Sequence, residues 1–264
     1  MTALRFDAPL TWTPREHQVE LWQYLTGGGK RADVVAHRRW GKDEVALHWA
    51  ALAAGSRVGN YWHLLPQAAQ GRKAIWQAVN PHTGKRRIEE AFRKEVRSKR
   101  YNEEMRLELG NGSTWQVAGS DNFDSLVGSS PAGVVFSEWA LSKPDAWTYI
   151  RPILAENGGW AMFLWTPRGR SHATRAFESR AQRPAEWFTL KSPVTQTQVY
   201  TAQQLARERE ELVAELGSAE EGEARYASEY LVEFDTTTPG AYYGGLLGEA
   251  ERDGRIGRVP HDPA

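Results

Sequence analysis

The chain has 264 residues with 33 basic against 33 acidic side chains, so its net charge carries no global nucleic-acid signature. It has no cysteine, which excludes a disulfide framework and thiolate chemistry, and its seven histidines lack metal-ligand spacing. No apolar run approaches the ~18 residues of a membrane span and the first residues are not a signal peptide, so no membrane partner is expected.

The length accommodates one large α/β domain or two smaller ones. Residues 14–26 read as a helix, with Val19, Leu21, Trp22 and Leu25 apolar. Gly27-Gly28-Gly29-Lys30 ends it, because glycine suits the position after a helix and no helix follows. A short apolar run, Val34-Val35-Ala36, leads into His37-Arg38-Arg39, and Gly41-Lys42-Asp43 opens a helix over 43–54. Residues 57–65 read as a strand, 67–79 as a helix closed by Asn80-Pro81, and 85–96 as a helix burying Ile88, Ala91, Phe92 and Val96. Residues 85–100 hold eight Lys/Arg against three Glu. That stripe is either a solvated face or a DNA-facing one. Asn111-Gly112 between 105–109 and 114–117 is a hairpin signal, and the glycosylation pattern it also fits needs a secretory route. Then come a buried strand at 133–136, a helix at 144–155, a buried strand at 160–165, a helix at 171–182 and a strand at 186–190. Charged helices at 202–216 and 218–229 and a last strand at 230–234 follow. Strands alternating with helices predict a mostly parallel sheet flanked by helices on both faces.

Strand, Gly-Lys turn and helix is the context of a phosphate-binding P-loop, in which backbone N–H groups and the helix dipole face an anion. Lys42 would reach the β- and γ-phosphates. Two positions depart from the usual pattern: Ala36 replaces the first glycine and Asp43 replaces the Mg²⁺-binding hydroxyl. The second nucleotide strand is Val134-Val135-Phe136, which ends in Ser137-Glu138, where an Asp-Glu pair is usual. Read together, the departures cancel. A carboxylate after the lysine and a hydroxyl on the second strand still offer Mg²⁺ one of each. Glu138 then polarises the attacking water. Residues 162–169, MFLWTPRG, form a strand ending in a turn, where Thr166 is placed to sense the γ-phosphate.

The order and spacing of His37-Arg38-Arg39-Trp40-Gly41-Lys42-Asp43, of Gly119-Ser120-Asp121 with Leu126-Val127-Gly128 ahead of Val135-Phe136-Ser137-Glu138-Trp139-Ala140, and of Thr166-Pro167-Arg168-Gly169 resemble the ATPase domain of the large terminase subunit of tailed bacteriophages. The resemblance runs from Arg15 to about Phe234. It implies an additional-strand (ASCE) P-loop NTPase with a small lid subdomain at about 186–235, using ATP and Mg²⁺. It implies nucleotide binding by the loop from His37, Arg38, Arg39, Trp40 and Gly41 through Lys42, Asp43 and Glu44. By the same resemblance Gln18 reads adenine, Arg38 contacts the γ-phosphate, Lys42 grips phosphate, Glu138 activates water, Thr166 couples hydrolysis to motion, and Asp43 with Ser137 takes the metal.

The implied partners are double-stranded DNA, the portal protein of the procapsid and the small terminase subunit. The chain would be a monomer in isolation and a homo-oligomeric ring when assembled, in the host cell cytoplasm and transiently docked on the portal. Val127 stands where some members carry an arginine finger. Residues 236–264 read as a linker toward a nuclease domain beyond the chain, so ATP hydrolysis without DNA cleavage is expected. Two alternatives remain: a helicase-like P-loop ATPase, which usually needs a second lobe, and a nucleotide-binding scaffold without turnover, which Lys42 and Glu138 argue against.

Overall fold

The computed structural model describes residues 12–121 and 128–235, together with 250 and 253–255. Among these, eight strands form one sheet in the order β3-β4-β5-β2-β6-β7-β1-β8. The central strands are β1 (Arg31–Ala36), β2 (Asn60–Leu65), β6 (Pro131–Ser137) and β7 (Trp160–Trp165), all pairing in parallel. Nearly every residue in them is buried, as expected for strands covered on both faces. β5 (Thr114–Gly119) and β8 (Phe188–Ser192) extend the parallel part at either side, and β4 (Arg106–Leu109) and β3 (Arg97–Tyr101) add an antiparallel edge. β7 lies between β1 and β6, which is the inserted strand of an additional-strand P-loop fold.

The helices follow from composition and caps. α1 (Val19–Thr26) covers one side near β8, while α2 (Lys42–Ser56) is alanine-rich and buries residues on nearly all its faces. α5 (Asp145–Asn157) ends at Gly158, and α6 (His172–Ala181) starts at Ser171, whose hydroxyl caps the Ala173 N–H at 3.2 Å. Much of the core is aromatic. Trp40, Trp76, Trp115, Trp139 and Trp165 are fully buried, which gives the tryptophan-rich composition a packing role. One buried ion pair crosses it. Asp33 in β1 accepts from Arg180 at 2.6 Å and from the Trp165 indole at 2.8 Å, and the guanidinium lies 3.9 Å from the Phe163 ring centre.

Three elements differ from the sequence expectation. The helix expected over 85–96 is only α4 (Arg87–Ala91). Ile88 and Phe92 reach the core, the chain turns out at Phe92, and residues 97–101 pair with β4 instead of continuing a helix. The helix over 67–79 is α3 (Ala68–Gly71) followed by a π-helical stretch, Arg72–Trp76, which buries Ile75 and Trp76 side by side. Residues 230–234 form no strand. Val232 is buried in the left-handed region at φ 61°, and Tyr230 hands its carbonyl to Val194 N–H instead. The strand expected at 186–190 is β8. It pairs with β1 in the main sheet.

What projects from the sheet is a helical hairpin, α7 (Ala202–Leu216) and α8 (Ala219–Glu229), capped by Thr201 and Ser218 and turned at Gly217. The two helices approach so closely at Gly222 that a Cβ there would lie 2.5 Å from the Val213 Cα. The Asn111-Gly112 hairpin forms as expected, with the Asn111 amide and Ser113 hydroxyl docked on the Ala54 carbonyl. Residues 126–127 and the expected linker from 236 lie outside the described residues, apart from the four positions given above.

Candidate active site

In a parallel sheet the carboxyl ends of neighbouring strands share one edge, and ligands bind outside it. Here β1, β6 and β7 deliver the loop 37–42, Ser137-Glu138 and Thr166 to the same edge. A cleft of about 1020 Å³ opens there, lined among others by Arg38, Lys42, Asp43, Glu138, Thr166 and Arg168. Three backbone conformations shape it. Gly41 has φ 91°, and a Cβ there would lie 2.6 Å from the Gln18 amide nitrogen. Arg39 and Glu138 adopt φ 65° and 53° despite carrying side chains, at a cost of about 1–2 kcal/mol each. Such strain clusters where a side chain must be aimed.

Lys42 folds back over its own loop. Its ammonium donates to the Ala36 carbonyl at 2.9 Å, the His37 carbonyl at 3.1 Å and the Thr166 hydroxyl at 2.8 Å. Burial lowers the Lys42 amine to about 8, against the opposing pull of Glu138 and Asp43. Thr166 donates in turn to Ala36 at 3.1 Å, which ties the ends of β1 and β7 together. Burial pushes the Glu138 carboxyl up, opposed mainly by Lys42, which suits a base that must take a proton from water.

The exchanged pair meets. Ser137 lies close enough to the Asp43 carboxylate to help lower its pKa, and His63 Nε2 donates to Asp43 Oδ1 at 3.2 Å. Burial raises the Asp43 carboxyl, but His63, Ser137 and Lys42 together hold it below the ordinary carboxylate value. Among the described residues no cluster of three His, Asp or Glu could hold a metal alone. Mg²⁺ keeps waters and arrives with phosphates, so one or two protein oxygens would be enough to hold it. Asp43 and Ser137 supply one carboxylate and one hydroxyl at one place.

Other expected site residues bond within the protein. Gln18 is fully buried. Its carbonyl accepts from Arg15 N–H at 3.0 Å and its amide donates to the Trp40 and Gly41 carbonyls. His37 is buried against the Thr197 hydroxyl at 2.9 Å, and burial lowers its imidazole to about 4. Trp40 is buried and donates to Ser192 at 2.9 Å. These three brace the loop. Glu44 accepts from the Trp12 indole at 3.2 Å and pairs with Arg15 at 3.5 Å at the rim.

Arg38 is half-exposed and pairs with Glu229 at 2.9 Å. Glu229 ends α8 and is only 4% exposed, yet it faces Arg225 at 2.7 Å and Arg168 at 3.9 Å as well. The backbone N–H of Arg38 also donates to the Glu229 carbonyl. Glu229 and His63 are the two residues that the sequence did not single out. Neither carries a local signal. His63 reads as one polar residue in an apolar strand, and Glu229 as one of many acids in a charged helix.

No family model matches the chain. Over 66 residues it is 39% identical to the large terminase subunit of Escherichia phage T5, a stretch covering 24% of this chain and 15% of that relative's length. Its fold is that of the large terminase ATPase domain of Thermus phage P74-26, with a TM-score of 0.63 at 18% identity over 85% of this chain and 95% of that one. It is also similar to the large terminase of a thermophilic bacteriophage solved in complex with ADP, with a TM-score of 0.58 at 15% identity over 75% of this chain and 50% of that one. The same protein in complex with ATP-gamma-S matches with a TM-score of 0.57 at 14% identity, over 75% of this chain and 49% of that one.

Proposed function

We propose that this chain is the ATPase motor domain of a viral large terminase subunit, hydrolysing Mg-ATP to drive double-stranded DNA into a procapsid. The observation that carries the reading is the meeting of Lys42, Asp43, Ser137, Glu138 and Thr166 at one strand edge, in the fold shared with large terminase ATPase domains. Relatives of that fold were solved with ADP and with ATP-gamma-S, which supports a nucleoside triphosphate as the occupant.

In this reading the triphosphate lies over the N-terminus of α2, where the loop N–H groups and the helix dipole receive it. Lys42 leaves the Ala36 and His37 carbonyls for phosphate oxygens. Asp43 and Ser137 would hold Mg²⁺, which would supply charge neutralisation at the phosphates. Glu138 orients the attacking water and accepts its proton. Arg38 exchanges Glu229 for the γ-phosphate, which links the cleft to the α7–α8 hairpin. Assembly as a ring on the portal protein, with the small terminase subunit and DNA as partners, in the host cytoplasm, completes the proposal.

The test is Mg²⁺-dependent ATP hydrolysis by the purified chain, beside Glu138→Gln. The parent is expected to turn over slowly, and faster as concentration rises, if neighbouring copies complete the site. Glu138→Gln should keep nucleotide binding and lose about 10²–10⁴ in rate. A Glu138→Gln protein that hydrolyses at the parent rate overturns Glu138 as the base. No hydrolysis by the parent at any concentration overturns the motor reading.

A further inference from the structure

We infer that His63 is a positioning residue for the metal-binding carboxylate of Asp43, an inference that rests on the proposed reading of Asp43 as a Mg²⁺ ligand. His63 sits in β2, in register with Val135 of β6 and Val117 of β5, and is fully buried. Its ring lies edge-on to Trp115, with centroids 6.2 Å apart at 81°, so the imidazole plane is fixed by packing. Its Nε2 donates to Asp43 Oδ1, while its Nδ1 finds no hydrogen-bond partner among the described residues.

That combination is informative. A buried polar nitrogen without a partner is destabilising, and an apolar side chain at this strand position would avoid the penalty. The ring is placed for one contact, and that contact is the carboxylate. The chemistry explains the need. A serine or threonine after the P-loop lysine carries its oxygen on a single torsion, so the helix backbone alone aims it. An aspartate adds a second, broad torsion. It also stands beside Glu138, a second carboxylate that repels it and competes for Lys42. The His63 N–H holds the carboxylate against that repulsion and leaves further lone pairs for a cation. Carboxylate ligands are commonly oriented by such outer hydrogen bonds, whose loss costs about 10–100-fold in metal affinity.

The test measures binding apart from turnover. Fluorescent ATP is titrated onto the whole chain in EDTA and across a series of Mg²⁺ and Mn²⁺ concentrations, with the Mn²⁺ signal of the ternary complex read by electron paramagnetic resonance. The variants are His63→Asn, too short to reach Asp43, His63→Gln, which keeps an N–H donor at similar reach, and Asp43→Ala. His63→Asn should raise the metal concentration for half-maximal tightening about tenfold, leave affinity in EDTA unchanged and broaden the Mn²⁺ spectrum. His63→Gln should recover most of that loss. A general packing defect would lower affinity in EDTA as well and would not be rescued by the amide. If Asp43→Ala abolishes the metal dependence but His63→Asn and His63→Gln both behave as the parent, the role of His63 is overturned and Asp43 stands. If Asp43→Ala keeps the parent's metal dependence, Asp43 is not a ligand and the role of His63 falls with it.

Discussion

The two ends of the cleft are built differently. At one end Asp43, Ser137 and Glu138 stand on or beside the termini of α2 and β6, and His63 holds Asp43 from the interior of β2. Every support there is a buried strand or a helix packed on most of its surface. At the other end Arg38 and Arg168 are held by Glu229, the last residue of α8. Its hairpin partner α7 has no buried residue, and the two helices join through one close approach at Gly222 and exposed pairs such as Arg209–Glu223. The difference separates two demands. In-line attack on phosphate requires metal and water held to fractions of an ångström, whereas coupling requires a part that shifts when the phosphate leaves. The first end spends its contacts on rigidity and the second on exchangeable charge pairs.

The largest expected effect strikes the rigid end. If Asp43 and Ser137 share one cation, exchanging either alone should lower ATPase activity about 10–100-fold. Asp43→Thr leaves two hydroxyls and no carboxylate, and Ser137→Asp crowds two carboxylates beside Glu138. The double exchange restores one of each and should recover part of the loss, since residues in contact do not combine additively. Rates of the parent, both singles and the double across a Mg²⁺ titration provide the check. Losses that simply multiply would mean the two positions act independently.

The rigid end is also where the sequence was most legible. Val34-Val35-Ala36 before Gly41-Lys42, and Val134-Val135-Phe136 before Ser137-Glu138, are continuous apolar runs ending in polar turns. A strand buried on both faces can hardly be written otherwise. The hairpin at Asn111-Gly112 was equally plain, because the left-handed φ of 91° at Gly112 favours glycine. The edge was not legible. β3 is Arg-Ser-Lys-Arg-Tyr, half-exposed on an antiparallel edge, with no alternation to separate it from the end of a helix. The roles of individual site residues were legible only in part. The sequence placed Gln18, His37 and Trp40 at the loop, but their side chains bond inward to Arg15, Thr197 and Ser192. Glu229 reaches Arg38 across 191 residues, and His63 reaches Asp43 across a strand and a helix. Such pairings are decided by how the sheet stacks its strands, which no local pattern encodes.

A smaller effect is expected at the exchangeable end. Glu229→Gln removes the charge shared by Arg38, Arg168 and Arg225 while keeping the shape. Those arginines are half-exposed, so solvent screens part of the attraction. The loss should be near one charge-assisted hydrogen bond, ~1.4 kcal/mol, or about tenfold faster amide exchange along α7 and α8. Amides of β1, β6 and β7 should keep their protection. Gly222→Ala probes the same end through packing, because its Cβ would meet Val213 backbone and force the helices apart. If Glu229→Gln accelerates exchange in the central strands equally, the two ends form one cooperative unit and the distinction between them is lost.

The smallest effect is a pH dependence, and it tests Lys42. Lys42 bonds to the carbonyls of its own loop and to Thr166 of β7, and burial has lowered its amine to about 8. Phosphate oxygens favour the charged form, so binding a nucleotide should raise that value. The sign follows: near pH 8 the free chain is partly deprotonated and must take up a proton to bind. Affinity should then be level below pH 7 and fall as pH rises through 8, by about fourfold between pH 7 and 8.5 if only the charged lysine binds. Calorimetry in buffers of differing ionisation enthalpy would register uptake, not release. Glu138→Gln sharpens the test. It removes the neighbour that contributes most to keeping Lys42 charged, so the fall should begin at lower pH while turnover is already absent. An affinity that stays level to pH 9 in both proteins would mean that Lys42 remains fully charged in the free chain, and that folding back onto its loop carries no proton linkage.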